Sequence, residues 1–208
     1  MIAIIKKTEH AMTEPRRPRR TSIGSQRNPE SEEAILSAAA AILREGGLGA
    51  FSIEAVARRA KAGKPTIYRW WPSKAALLLD VYHRQKEVSP PVYTGNVRGD
   101  LMRFMTELLS YWKRGGGAVF RSVIAEAQGD PAAAAALAGY AAERRIHTGA
   151  MIREAQAAGQ VRSDADPELI GEMLSSFAWS RLLTDRLDMS EPEIAAYVDS
   201  LVDGIRPR

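Results

Sequence analysis

Residues 63–74 read GKPTIYRWWPSK, with two lysines, an arginine, a tyrosine, a threonine and two adjacent tryptophans in twelve positions. These side chains form no nucleophile–base pair. What they supply is donors: lysine and threonine can hydrogen-bond base edges, and tyrosine and arginine reach phosphate oxygens. Proline adds a surface for a thymine methyl. On a helical wheel begun at Lys64, Ile67 and Trp71 fall about 40° apart and mark a buried edge. The outward set is then Lys64, Pro65, Thr66, Tyr68, Arg69 and Trp70. Trp71 is expected in the core, and Trp70 at least partly exposed. Lys74 opens the next helix, where a cation gains nothing from the dipole, so a phosphate is its expected partner.

Other chemistries find little here. Without cysteine there is neither a disulfide framework nor a thiolate site. His10, His83 and His147 stand in separate regions, and no His-Glu metal spacing, P-loop, glycine-rich dinucleotide turn or serine elbow occurs. No cofactor and no catalysis are expected. No run reaches the roughly 18 apolar residues of a membrane span, so no membrane partner and a cytoplasmic location are expected. The opening MIAIIKK lacks the order of a signal peptide, and Met12 is a second candidate start. Charge is uneven: residues 1–89 hold 16 Lys/Arg against 9 Asp/Glu, while residues 90–208 hold 13 against 16. A basic front and a mildly acidic back direct any polyanion to the front.

The positioning elements follow from punctuation and period. Residues 1–27 lack apolar periodicity and carry PRRPRR at 15–20, which reads as a disordered basic arm. Asn28-Pro29-Glu30 should start a helix whose face is Ala34, Ile35, Ala38, Ala41 and Ile42, ending at Gly46-Gly47. Ser52 should cap a short helix with Ile53, Val56, Ala57 and Ala60 inward. Gly63 opens a third helix, which Pro72 ends by Trp71. Ser73 caps a fourth with Leu77, Leu78, Val81 and Tyr82 inward, and Ser89-Pro90-Pro91 marks the boundary. Five further helices are expected at about 97–113, 118–128, 131–158, 167–186 and 191–205, with a capping box at Ser190 and Glu193. The fold class is therefore all-α with about nine helices: an arm at 1–27, a helix-turn-helix head at 28–89, and a helical body at 90–208.

The run from Ala34 to Leu79, most sharply TIYRWWPSKAALL, closely resembles the DNA-binding head of the tetracycline-repressor (TetR) family of bacterial regulators. The Gly46-Gly47 end, the Phe51-Ser52-Ile53 start, and Thr-x-Tyr followed by an aromatic and Ser-Lys carry the resemblance, over about a quarter of the chain. It implies that Lys64, Pro65 and Thr66 face bases, that Ser52, Tyr68, Trp70 and Lys74 meet phosphates, and that Arg69 does either. It further implies a homodimer through the last two helices, a small-molecule pocket in the body, and repression relieved by that effector. Lys61 and Gly63 depart from the family's usual glycine and serine-like cap. Gly63 is therefore expected to cap more weakly. Arg16, Arg17, Arg19 and Arg20 of the arm are candidates for an adjacent minor groove.

In the body, Met102, Met105, Leu109 and Trp112 follow helical spacing. Phe120, Val123, Ile124, Met151, Phe177 and Trp179 can converge on them as a core or as a pocket. If a pocket forms there, its candidate residues are Met105, Trp112, Phe120, Arg121, His147, Met151 and Phe177, with Tyr140 as a further polar contact. A mostly apolar, aromatic-tolerant ligand suits that set. The stripe of Ile194, Tyr197, Val198, Leu201, Val202 and Ile205, with Met173 and Phe177 of the preceding helix, is either intramolecular packing or a dimer face. Two other classes stay open: a helical protein-interaction module, and a ligand-binding protein without DNA specificity.

Overall fold

Helix starts fall where a short polar side chain can satisfy free backbone N–H groups. The computed structural model describes residues 28–85 and 92–207. The arm and the boundary at Ser89-Pro90-Pro91 lie outside those residues. Asn28 accepts from Glu30 N at 3.0 Å and opens α1 (Pro29–Ala50). Ser52 accepts from Ala55 N at 3.1 Å and opens α2 (Ile53–Ala60). Gly63 has no side chain to cap α3 (Lys64–Trp70). Ser73, buried, accepts from Ala76 N at the start of α4 (Lys74–Gln85).

Asn96, Asp130 and Asp166 do the same for α5 (Val97–Tyr111), α7 (Pro131–Ala157) and α8 (Pro167–Leu183). At α9 (Glu191–Ile205) the Ser190 N–H donates to Glu193 Oε2 at 2.8 Å, the expected capping box. Among the described residues the protein is all-helical, with nine α-helices in this order.

Two expected loops differ. Helix α1 runs past Gly46-Gly47 to Ala50, with Gly47 breaking it at φ 64° and ψ −165°. Ala34, placed on the inner face from sequence, is exposed. Gly115-Gly116-Gly117 is not an open linker, because a π-turn (Trp112–Gly116) joins α5 directly to α6 (Gly117–Ala127). Gly115 takes φ 118°, and a Cβ on Gly116 would lie 2.3 Å from the Tyr111 ring. Only glycine fits both demands.

Helices α1, α2 and α4 pack together and carry α3 on α2. Their shared core includes Ile35, Leu36, Ile42, Ile53, Val56, Ile67 and Trp71. Among α5–α9, α7 lies along α8 and α5 along α9. The α7–α8 crossing is close: a Cβ on Gly171 would sit 3.0 Å from Thr148 Cβ. Helix α4 belongs to both groups, since it also packs on α6 and α7.

Asp100, 1% exposed, ties the segment before α5 to that helix by accepting from Thr94 N at 2.8 Å and Thr94 Oγ1 at 2.7 Å. Burial pushes its carboxyl up, but those bonds and the Arg103 guanidinium at 2.7 Å hold it below the usual carboxylate range. No helix among the described residues is long and apolar enough to cross a membrane.

Candidate nucleic-acid interface and effector cavity

The turn between α2 and α3 is built on Lys61, which adopts the left-handed conformation at φ 52° and ψ 36°. A side chain there costs roughly 1–2 kcal/mol. The turn survives because the Lys61 N–H reaches the Ala57 and Arg58 carbonyls, and the Ala62 N–H reaches Ala57 O at 3.0 Å. Gly63 supplies only its carbonyl, accepting from Thr66 N at 3.0 Å and Ile67 N at 3.3 Å.

Helix α3 is thereby set with Ile67 (0% exposed) and Trp71 (2%) inward. Lys64, Pro65, Tyr68 and Arg69 are exposed, and Thr66 and Trp70 are half-buried. The two tryptophans separate as their spacing requires. Trp71 Nε1 donates to Asp80 Oδ2 of α4 at 2.6 Å. Trp70 meets the Trp71 ring edge-on at 5.9 Å, and the Arg69 guanidinium lies 5.8 Å from its centroid. The arrangement presents cations and hydroxyls on a rigid, short helix whose far side is locked.

Two of the cations already hold carboxylates. Lys64 Nζ sits 2.8 Å from Glu54 Oε1, which raises the ammonium's pKa and lowers the carboxyl's. Lys74 Nζ sits 2.6 Å from Glu126 Oε1 of α6, a partner that helix-dipole reasoning could not name. That pair links the start of α4 to the other helical group. The Ser52 hydroxyl, half-buried, serves first as the α2 cap. Arg16, Arg17, Arg19 and Arg20 lie outside the described residues.

A cavity of about 340 Å³ opens between α5, α7 and α8, with the π-turn at one end. Its apolar wall includes Phe104, Leu108, Trp112 and Trp179, and its polar wall includes Tyr140, Arg144, Thr148 and Ser175. Of the seven residues expected there, Trp112 and His147 line it. Met105, Phe120 and Met151 are fully enclosed in the core instead. Met105 lies one residue, about 100°, round α5 from the wall residue Phe104. Phe120 is the hub of an aromatic cluster behind the cavity, 5.2 Å from Tyr82, 5.8 Å from Trp112 and 5.3 Å from Trp179.

Arg121 points elsewhere, with Nη1 3.4 Å from Leu182 O and 3.2 Å from Asp185 Oδ1, where it satisfies the end of α8. Phe177 stacks on Tyr197 at 3.7 Å, on the outer seam of α8 and α9.

The proposed dimer stripe also divides. Ile194, Val198, Leu201 and Val202 are buried within the protomer, because α5 occupies the side of α9 they face. What remains outside is Met173 (50% exposed) and Leu169 (54%), beside the half-buried Phe177 and Tyr197. Sequence reading missed Leu169, Arg144 and the serines of α8. Arg144 was findable, one turn before His147 and one after Tyr140 on the same helix face.

The profile described as "Tetracyclin repressor-like, C-terminal domain" matches residues 91–202, and "Bacterial regulatory proteins, tetR family" matches 35–81. The chain is 27% identical to the uncharacterized HTH-type transcriptional regulator YdeS of Bacillus subtilis, covering 88% of this chain and 93% of that one. It is 28% identical to the DNA-binding transcriptional repressor TetR of Mycobacteroides abscessus, covering 83% and 90%. The solved structure of the TetR family transcription regulator SCO0332 superposes with a TM-score of 0.74 at 31% identity, over 86% of this chain and 100% of that one.

The separation of the tryptophans is testable. Trp71→Ala removes a buried ring and its hydrogen bond to Asp80, and should cost about 3–5 kcal/mol in thermal or denaturant unfolding. Trp70→Ala should leave unfolding nearly unchanged and weaken duplex binding several-fold. Equal behaviour of the two variants in both measurements would contradict the geometry.

Proposed function

The chain belongs to the tetracycline-repressor family of bacterial regulators, and from that premise we propose how its residues divide the work. It is a helix-turn-helix DNA-binding transcriptional regulator. In our reading residues 28–89 form the DNA-binding head, residues 90–208 the effector-binding and dimerisation body, and residues 1–27 a basic arm. Lys64, Pro65 and Thr66 read base edges in the major groove, while Ser52, Tyr68, Trp70 and Lys74 hold phosphates and Arg69 reaches either. The arginines of the arm add affinity with little sequence information. The observation that carries this reading is the outward set on α3, held in place by the inward pair Ile67 and Trp71.

Two copies meet across the exposed seam of α8 and α9, around Leu169, Met173, Phe177 and Tyr197. Their heads then face successive major grooves about 34–36 Å apart. A small molecule in the α5–α7–α8 cavity releases DNA if it binds better to a dimer with another head spacing. Helix α4 is the lever, since Trp112 of the cavity wall donates to its Tyr82 hydroxyl at 2.8 Å.

Selection of bound DNA from random duplexes tests this directly. A palindrome with half-sites about one helical turn apart is expected, and no enrichment at low salt would contradict it. The Lys74–Glu126 pair gives a second test. If Lys74 must leave Glu126 to hold a phosphate, Glu126→Gln should tighten operator binding a few-fold, the scale of a partly exposed pair. Unchanged or weaker binding would remove Lys74 from the interface.

A further inference from the structure

We propose that the cavity takes a flat aromatic oxyanion, an aromatic carboxylate or its delocalised equivalent, with its charge on the Nε/Nη2 edge of Arg144. This rests on reading the cavity as the effector site. Three features of Arg144 argue for it.

The first is placement. Arg144 lines the cavity with its side chain only 16% exposed, and its guanidinium lies 5.6 Å from the Tyr140 ring centroid. A guanidinium so placed is weakly solvated and seeks anionic oxygens. The second is an unmet donor. Arg144 Nε is buried without an acceptor among the described residues, a donor that a ligand, an ion or an ordered water would satisfy.

The third is that the contacts of Nη2 on the same edge are replaceable. It lies 2.7 Å from Glu143 Oε1 and 3.2 Å from His147 Nδ1. His147 Nδ1 is also 2.9 Å from the Glu143 carbonyl. One ring nitrogen carries either a proton or a lone pair, so only one of its two contacts is a hydrogen bond. Glu143 is half exposed and loses little by returning to water. A ligand carboxylate can therefore take Nε and Nη2 together, the bidentate geometry that guanidinium favours.

The rest of the cavity fits the rings of such a ligand. Phe104, Leu108, Trp112 and Trp179 supply flat or apolar walls, and 340 Å³ is at the small end for ligand sites. One or two fused rings are the matching size. The acidic wall residue Glu172 does not oppose the charge, because Arg145 lies 3.5 Å from it. Tyr140 is a second donor. Burial pushes its phenol up to about 12, so it keeps its proton at neutral pH.

The test is calorimetric titration of the full chain with 2-naphthoate and with its neutral isostere 2-naphthamide. Naphthoate should bind at least ten-fold more tightly. Arg144→Gln should erase that preference while naphthamide affinity stays within two-fold, which also reports that the variant is folded. Arg144→Lys, keeping charge without the fork, should recover only part of the preference. Equal binding of the two probes by the native chain, or a preference kept by Arg144→Gln, overturns the oxyanion assignment and leaves the cavity as an apolar site. Binding of neither probe overturns the assignment and the effector-site reading together.

Discussion

Helix α4 is fixed by two indole N–H bonds that arrive from opposite directions. Trp71, the residue that ends α3, donates to Asp80, and Trp112, at the cavity end of α5, donates to Tyr82. The acceptors are two positions apart in sequence, about 200° round the helix and about 3 Å along it. A buried indole that loses its acceptor costs a desolvated donor. Neither tryptophan can therefore move far without α4 following. Helix α3 and the cavity wall are, for this reason, two ends of one rigid connection.

Aromatic packing makes that connection stiff. Tyr82 touches Phe120, Tyr140 and Tyr111, and Phe120 in turn touches Trp112 and Trp179. These rings come from α4, α5, the π-turn, α6, α7 and α8. Gly115 and Gly116 of the π-turn allow α5 to turn straight into α6, which keeps Trp112 and Phe120 stacked. Burial and its aromatic neighbours push the Tyr82 phenol well above its ordinary pKa, so it stays a neutral hydrogen-bonding group at every physiological pH. Close-packed rings of this kind shift as a set and not one at a time.

Much of the head was legible because period and punctuation agree there. Ile67 and Trp71 share an edge, Pro72 forbids a longer helix, and Ser52 and Ser73 cap the helices that follow them, so Trp70 had only the outer face left. Lys74 was legible as a cation at the start of α4 but not as Glu126's partner, because that contact joins residues 52 positions apart. The cavity was mostly illegible for a simple reason. Large side chains such as Met105, Phe120 and Met151 fill space and become core. A cavity persists where residues are small, here Ala138, Ala141, Ser175 and Ser176. The stripe on α9 left two readings open for a related reason: its period shows that one face is buried, but not that α5 is what covers it.

The connection through α4 can be measured without knowing the effector. Amide hydrogen exchange of the full chain, free and saturated with a selected duplex, would follow α3, α4 and the π-turn together. The account predicts that residues 112–117 slow on DNA binding along with α3 and α4, although they lie on the cavity side of α4 and form no part of the proposed interface. Slowed exchange in α3 with unchanged exchange in α4 and the π-turn would contradict it.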